Sequence, residues 1–329
     1  RELLLPGTRV YLEDSTSPGR KTSCTLVAAE HGGHIVPLHT SRTNQIAREL
    51  ILPRLFEVES TFRHEVTYGS SRLDFAVDTS EGTTLIEVKS CSLCEHGVAM
   101  FPDAPTTRGI KHLNEINNIV TKGDYDGAVI LHGIVLFVIG YPDPRCFVPN
   151  VHTDPDFAIS LKKISAKTEI RACATSTSPD GYITVTDAEV PIDYSPVALA
   201  EKDGGVYLLI LHLKKEQVIS TGALGNSVYR PGWYVYAGSA ARGLSQRLAR
   251  HVRKSKKIHW HIDYLSSQTD TITTIPIRTD NDLECGLAES VRIAGGIGIP
   301  HFGSSDCRCP SHLFYYSRDP WTARGFVKT

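Results

Sequence analysis

The chain has 329 residues and weighs 36.2 kDa, a length that fits about two domains. Hydrophobic residues make up 41% and charged residues 22%, which excludes a disordered or collagen-like chain. The formal net charge of -1 argues by itself against nucleic acid, but residues 1–200 carry 18 Lys/Arg against 25 Asp/Glu, and residues 201–329 carry 17 against 11.

The predicted elements begin with a short strand at Val10–Leu12. Thr22 to Thr40 alternates, turns at His31-Gly32-Gly33-His34 and alternates again, the pattern of a Gly-Gly hairpin. Thr43 to Leu52 has Ile46, Leu50 and Ile51 at helical spacing, and Pro53 is expected to stop it. Phe62–Tyr68, Leu73–Val77 and Thr84–Val88 read as strands, parted by turns at Gly69-Ser70-Ser71 and Ser80-Glu81-Gly82. Thr106 or Thr107 caps a helix to about Val120. Ala128 to Ile139 reads as two strands with a turn near His132-Gly133. A helix at Pro155–Ile164 and strands at Glu169–Ala174 and Ile183–Val185 close the region. The polar Tyr194–Gly205 segment marks a domain boundary. Beyond it come strands at Val206–Leu213 and Trp233–Ala237, a helix at Leu244–Val252, an apolar and aromatic segment at His259–Leu265, a helix at Leu283–Ala294 and a last strand at Leu313–Tyr316.

No apolar run approaches the roughly 18 residues of a membrane span, and the N-terminus has no signal-peptide pattern. The only Met is Met100, so the chain is expected to start inside a longer gene product. Eight unevenly spaced cysteines fit a reduced, cytoplasmic protein better than a disulfide framework. The sequence leaves the oligomeric state open.

Glu87 and Lys89 lie two apart on a predicted strand and share a face, with Asp74 on the neighbouring strand. Two carboxylates and a backbone carbonyl suit Mg²⁺ or Mn²⁺, and a lysine beside them can orient water. Such a spacing is common by chance, so two surface acids and a lysine are the default reading of this trio alone. Its setting shifts the balance. Glu65-Val66-Thr67-Tyr68-Gly69, Ser71-Arg72-Leu73-Asp74-Phe75, Ile86-Glu87-Val88-Lys89-Ser90 and the run from Phe101-Pro102-Asp103 to Lys111-His112-Leu113 occur in order. On these motifs, residues 1–196 resemble the sugar fermentation stimulation protein A family, whose core is similar to PD-(D/E)XK nucleases. The resemblance implies an OB-like β unit (1–40, entered partway) before a nuclease-like core (41–196). It implies Asp74, Glu87 and Lys89 as metal and catalytic positions and Glu49 as an optional helix acid. Arg108, Lys111 and His112 on the helix after the Pro-rich loop are then expected to contact phosphate, with Asp103 either functional or loop-ordering.

The second half carries Gly205-Val206-Tyr207, Trp233-Tyr234-Val235-Tyr236-Ala237-Gly238, His259-Trp260-His261-Ile262-Asp263-Tyr264-Leu265 and Phe302-Gly303-Ser304-Ser305-Asp306-Cys307-Arg308-Cys309. These resemble an uncharacterised GIY-YIG-like domain, expected over 203–329. The resemblance implies catalytic roles for Tyr207, as general base through a water, and for Tyr236 beside it on the sheet, Arg247 stabilising the scissile phosphate, His251 one turn on as a DNA contact, and Glu284 as metal ligand. Tyrosine is a poor base, so Arg247 and the metal would have to lower the Tyr207 pKa. Paired tyrosines on strands otherwise serve packing. From Gln217 to Ile262 there is no acid, but there are eight Lys/Arg, including Arg242, Arg250, Arg253 and Lys254. This stripe is expected to hold a DNA backbone.

Cys307-Arg308-Cys309-Pro310-Ser311-His312 offers zinc ligands, with Cys285 or with His259 and His261 as further donors. The spacing is not that of a standard finger, and buried cysteines with a capping histidine are favoured over zinc. The sequence therefore points to an α/β (α+β) protein of an OB-like unit, a PD-(D/E)XK-like mixed-sheet core and a GIY-YIG-like domain. Its expected function is DNA binding with Mg²⁺- or Mn²⁺-dependent phosphodiester hydrolysis. The alternative is a non-catalytic DNA-binding regulator, related to sugar metabolism, that uses nuclease-like folds as surfaces.

Overall fold

Alternating apolar residues, interrupted by glycine turns, set out the first strands: β1 (Val10–Asp14), β2 (Cys24–His31) and β3 (His34–Pro37). They form an antiparallel three-stranded sheet. Gly32 and Gly33 both have positive φ (57° and 84°), which makes the hairpin turn accessible to glycine at no steric cost. The computed structural model describes residues 3–14, 22–68, 71–125 and 127–327. Residues 69 and 70 of the expected Gly69-Ser70-Ser71 turn therefore lie outside the described residues.

Helix α1 (Thr43–Ile46) continues through a π-helical turn (Ala47–Ile51) into α2 (Leu52–Leu55). Pro53 does not stop it, contrary to the sequence expectation. It follows directly on the π-helical turn, a local widening of the ladder that accommodates the ring and the missing N–H inside the continuing helix. Strands β4 (Thr61–Tyr68), β5 (Ser71–Asp78) and β6 (Thr83–Cys91) are antiparallel neighbours. Then come β7 (Leu93–Glu95), β8 (Val98–Phe101), α3 (Thr107–Lys122), β9 (Asp124–Tyr125), β10 (Ala128–Ile139), β11 (Cys146–Pro149), α4 (Pro155–Ile164), β12 (Glu169–Thr177) and β13 (Ile183–Asp187). The main sheet runs β13-β12-β10-β6-β5-β4, with β9 beside β10. β10 is parallel to both β6 and β12, so the centre is parallel and the margins antiparallel.

β10 is one strand of 12 residues, not a hairpin. The residue that suggested a turn serves helix packing instead. A Cβ on Gly133 would come within 2.6 Å of Val120 on α3, so glycine lets the helix lie against the strand. A register shift between Ile130 and His132 absorbs the local irregularity. The opposite face of this sheet packs Phe75, Ile86, Val88, Ile134 and Leu136 with Ile51 and Leu52 of the helical segment.

The described residues divide into two compact units, 7–197 and 198–327 with 3–6. The OB-like strands and the mixed-sheet core thus belong to one unit. The second unit contains α5 (Val197–Lys202, whose first residue belongs to the other unit), β14 (Gly205–Leu213), β15 (Gln217–Ser220), β16 (Asn226–Tyr229), β17 (Gly232–Ala240), α6 (Leu244–Val252), α7 (His261–Gln268), β18 (Thr271–Arg278), α8 (Glu284–Ile293), β19 (Ile297–Gly298), β20 (Leu313–Tyr316) and α9 (Arg324–Val327). Its sheet is antiparallel throughout, in the order β18-β14-β17-β20-β19. One face packs Tyr207, Leu209 and Tyr236 against Leu244, Leu248 and Leu265. The other packs Leu208, Val235 and Phe314 against Leu287 and Val291 of α8. Among the described residues no helix is long and apolar enough to cross a membrane.

Candidate functional site

The β5–β6 ladder pairs Asp78 with Thr83 through to Phe75 with Ile86. Beyond it the Asp74 side chain takes over: its Oδ2 accepts the Val88 N–H at 2.8 Å, and its Oδ1 accepts from Asn44 Nδ2 at 2.7 Å. This brings Asp74 to the strand that carries Glu87. Period-2 alternation aims Glu87 and Lys89 away from the Ile86/Val88 core and toward α3. Lys89 Nζ donates to Glu87 Oε1 at 2.6 Å, and His112 Nδ1 contacts the same oxygen. Glu87 is 2% exposed, and its Oε2 is buried without a hydrogen-bond partner among the described residues.

The two carboxyls are driven apart. Burial, and then the charge of Glu87, push Asp74 above the ordinary carboxylate value against its two hydrogen bonds. Burial also raises Glu87, but the hydrogen bond with His112 and the charge of Lys89 outweigh it and hold the carboxyl low. A cavity of about 320 Å³ adjoins the pair, lined by Asn44, Val88, Lys89, Ser90 and Asp103 among others.

His112 is thus a partner of Glu87 rather than a surface phosphate contact. Arg108 stays exposed one turn earlier, with Nε donating to His112 Nε2 at 3.4 Å. Lys111 is exposed and lies 3.5 Å from Glu115. Helix α3 is anchored where it starts: the Thr106 hydroxyl accepts from Gly109 N at 2.9 Å, and Asp154 Oδ2 accepts from Thr106 N at 2.7 Å. Asn150 Nδ2 donates to the Pro102 carbonyl at 3.0 Å. These bonds hold the Pro-rich loop and so fix where His112 stands. Glu49 is turned to solvent and occupied by Gln45 and Arg48; Asn44 is the helical residue that reaches Asp74.

In the second unit Tyr207, Tyr236, Arg247 and Glu284 line one cavity of about 410 Å³ with Ser239, Trp260, His261 and Asp306. The two tyrosine rings lie 6.4 Å apart. Gly238 permits this, since a Cβ there would come within 2.6 Å of the Tyr207 hydroxyl. Arg247 lies 4.5 Å over the Trp260 ring and donates to the Ser239 carbonyl. Glu284 accepts from the Ser239 hydroxyl at one oxygen and pairs with His312 Nδ1 at the other, 2.9 Å away. Burial tends to raise the Glu284 carboxyl, but these hydrogen bonds hold it low. Arg247 by itself does not lower the Tyr207 pKa. Burial outweighs Arg247 and pushes the Tyr207 hydroxyl up to about 12, and Tyr236 is pushed up as well.

The basic stripe divides in two. Arg250 donates to both Asp263 oxygens at 3.0 and 2.8 Å and to the Lys257 carbonyl. Lys254 donates to the Thr269 carbonyl, and Lys256 to the His251 carbonyl at 2.6 Å. His251 is fully buried and bonded to the Tyr207 hydroxyl at 3.0 Å, so it is not placed to touch a phosphate. Arg230, Arg242, Arg253, Lys254 and Lys257 remain exposed. The reading of Arg250 and His251 as DNA contacts is corrected accordingly: Asp263, the first acid after the acid-free span, draws Arg250 inward, while Lys254 stays exposed. Asp263 is the residue that reading missed, and its place at the end of that span was the available signal.

Comparison with known proteins gives three ordered matches. The SfsA N-terminal OB domain matches residues 1–38, and the sugar fermentation stimulation protein RE domain matches residues 41–181. A sugar fermentation stimulation protein homolog of Desulfitobacterium hafniense is 35% identical over 161 residues, covering 49% of this chain and 68% of that protein. The chain belongs to the SfsA family. A homolog from Thermotoga neapolitana is 40% identical over 156 residues, covering 47% of this chain and 64% of its own. The solved structure of Pyrococcus furiosus SfsA in complex with Ca²⁺ aligns with a TM-score of 0.51 at 29% identity, over 58% of this chain and 80% of that one. Residues 206–327 match a further domain, DUF123, described as of unknown function. The architecture is an OB domain, an SfsA core and a C-terminal GIY-YIG-like DUF123 domain.

Proposed function

We propose that this SfsA-family protein binds DNA and hydrolyses phosphodiester bonds at Asp74, Glu87 and Lys89 with Mg²⁺ or Mn²⁺. The carrying observation is the Glu87 carboxylate, buried in the sheet with one oxygen lacking any partner while Asp74 stands across the strand pair. An orphaned anionic oxygen beside a second carboxylate fits a hard divalent cation. That the Pyrococcus furiosus neighbour was solved with Ca²⁺ supports a divalent ion in the family. Asp74 and Glu87 would hold the ion, whose charge would stabilise the developing phosphorane. Lys89 Nζ, at the cavity wall, orients the water whose oxygen bonds to phosphorus as the P–O ester bond breaks. Arg108 at the head of α3 is the exposed cation that would hold the phosphate in register.

The Lys89–Glu87 pair also favours a second reading. A lysine already satisfied by its own glutamate suits a non-catalytic DNA-binding regulator, consistent with the relatives' printed name. A nicking assay separates the two. Plasmid, linear duplex and single-stranded substrates are incubated with Mg²⁺, Mn²⁺ or Ca²⁺, using the parent, Lys89→Ala and Glu284→Ala. The hydrolase reading expects cleavage with Mg²⁺ or Mn²⁺ that disappears in Lys89→Ala. DNA binding without cleavage under every metal would sink it and leave the regulator.

A further inference from the structure

Cys285 stands in the first turn of α8, and Cys307, Cys309 and His312 stand on the loop between β19 and β20. Backbone bonds close the neck of this loop. Ile299 N donates to Leu313 O at 2.8 Å, His301 N to Pro310 O at 2.9 Å and His312 N to Phe302 O at 2.8 Å. The loop returns its three donors to the start of α8, and the four candidate ligand atoms all lie within 4.8 Å of one another. His312 Nε2 is 3.4 Å from Cys307 Sγ and 4.0 Å from Cys285 Sγ. Thiolate and imidazole ligands on a tetrahedral zinc, with arms of about 2.3 and 2.0 Å, stand roughly 3.5 Å apart. A small contraction of the cluster would bring it to that geometry. His259 and His261, the alternative donors, are outside this group.

We propose that Cys285, Cys307, Cys309 and His312 bind one structural Zn²⁺, and that this ion fixes the carboxylate of Glu284. Three thiolates and one imidazole are the soft, four-coordinate set that zinc takes in closed structural sites. The ion would tie the 307–312 loop to α8 and close a long chain excursion. The histidine carries the second part. Its Nε2 faces the sulfurs, while its Nδ1 lies 2.9 Å from Glu284 Oε1. Metal on Nε2 leaves the proton on Nδ1, which donates to the carboxylate. The Ser239 hydroxyl holds the other Glu284 oxygen. Zinc thereby acts as a positioning element for the wall of the cavity that contains Tyr207, Tyr236 and Arg247. This inference is independent of hydrolysis at Asp74 and Glu87.

The test is metal analysis of the full chain purified without metal-affinity steps from zinc-supplemented growth. We expect about one zinc per chain, falling several-fold in Cys309→Ser and in His312→Ala but not in Cys146→Ser, which lies in the other unit. Exchange of the parent with Co²⁺ is expected to give tetrahedral thiolate charge-transfer bands, a readout that needs no variant to fold. Nitrogen NMR of ¹⁵N-histidine-labelled protein is expected to show His312 protonated at Nδ1 and metal-shifted at Nε2. A parent with neither zinc nor cobalt bands overturns the site, as does zinc that persists unchanged in both variants. Metal on Nδ1 overturns the link to Glu284.

Discussion

The carboxylate pair of the 7–197 unit and the tyrosine–arginine cavity of the 198–327 unit distribute charge in opposite ways. In the first, Glu87 is buried with an unpartnered oxygen, and Asp74 is pushed up by burial and by Glu87's charge. That site keeps one carboxylate oxygen without a hydrogen-bond partner among the described residues, although Lys89 and His112 hold the other. In the second, both Glu284 oxygens are occupied, Arg247 is spent on Ser239 and Trp260, and Tyr207 is bonded to a buried histidine. That site is a closed network. A buried and a half-buried carboxyl are thus held close together in the acidic unit, whereas the basic excess overstates the surface available to DNA, because part of it stitches the fold together.

The largest effect expected from this contrast is on chemistry. Lys89→Ala should lower Mg²⁺-dependent cleavage by on the order of 10²–10⁴-fold while leaving DNA affinity within a few-fold. Glu284→Ala should leave most cleavage intact. Equal losses in both variants, measured as initial nicking rates, would break the contrast by making the second cavity an equal partner.

Next comes stability. Asp263 is 0% exposed and accepts from Arg250 twice and from the His259 and Trp260 N–H groups, each at 2.9 Å. Asp263→Ala strips the half-buried Arg250 guanidinium of its carboxylate, leaving it the Lys257 carbonyl, and leaves two backbone donors unpaired, which should cost the second unit about 3 kcal/mol. All three tryptophans, Trp233, Trp260 and Trp321, lie in that unit, so urea unfolding followed by tryptophan fluorescence reports on it alone. An unchanged midpoint would show that Arg250 is free to leave Asp263 for a phosphate.

Much of this was legible in the chain. Helices α4 and α6 and strand β20 follow directly from caps and period, and Asp74, Glu87 and Lys89 meet because strand alternation and a short turn leave few alternatives. Residues whose role is set by distant packing were misread. Gly133 looks like a turn in isolation, and only the approach of α3 shows why it is glycine. Arg250 looks like a DNA contact because charge alone does not reveal which way a side chain turns. Asn44 and Asn150 carry no motif, and Asp154 reads only as the cap of α4, yet they hold Asp74 and the loop before α3. The proximity of Cys285 to Cys307 depends on a loop returning to a helix, which spacing does not encode.

Acid should weaken the second unit through His251. Its burial, against the opposing pull of Asp263 and helped by Lys256, Arg250 and Arg247, holds the imidazole neutral down to a pKa of about 4. In the unfolded chain a histidine titrates near its ordinary value of about 6.5. Between those values the unfolded state binds more protons, so stability falls as pH drops through this window, by about 2–3 kcal/mol at its lower end. His251→Gln keeps a polar partner for Tyr207 and should flatten the slope between pH 6.5 and 4 in tryptophan-detected unfolding. A slope identical to the parent's would place the acid sensitivity elsewhere.

The smallest effect discriminates between exposed and spent cations. If the second unit carries the DNA surface, Arg242 and Arg253 are two members of the stripe that are open to solvent and make no charge pair with an acid of the fold among the described residues. Each neutralised phosphate contributes about 0.9 to the slope of log K against log salt, so Arg242→Ala and Arg253→Ala should each flatten it by about one. Arg250→Ala should leave the slope unchanged and instead lower the unfolding midpoint, because its charge is committed to Asp263. Titrations of a fluorescent duplex at several salt concentrations read both outcomes. A slope change confined to Arg250→Ala would reverse the division, making the inward pair a latch that opens onto DNA and the exposed arginines an ordinary solvated face.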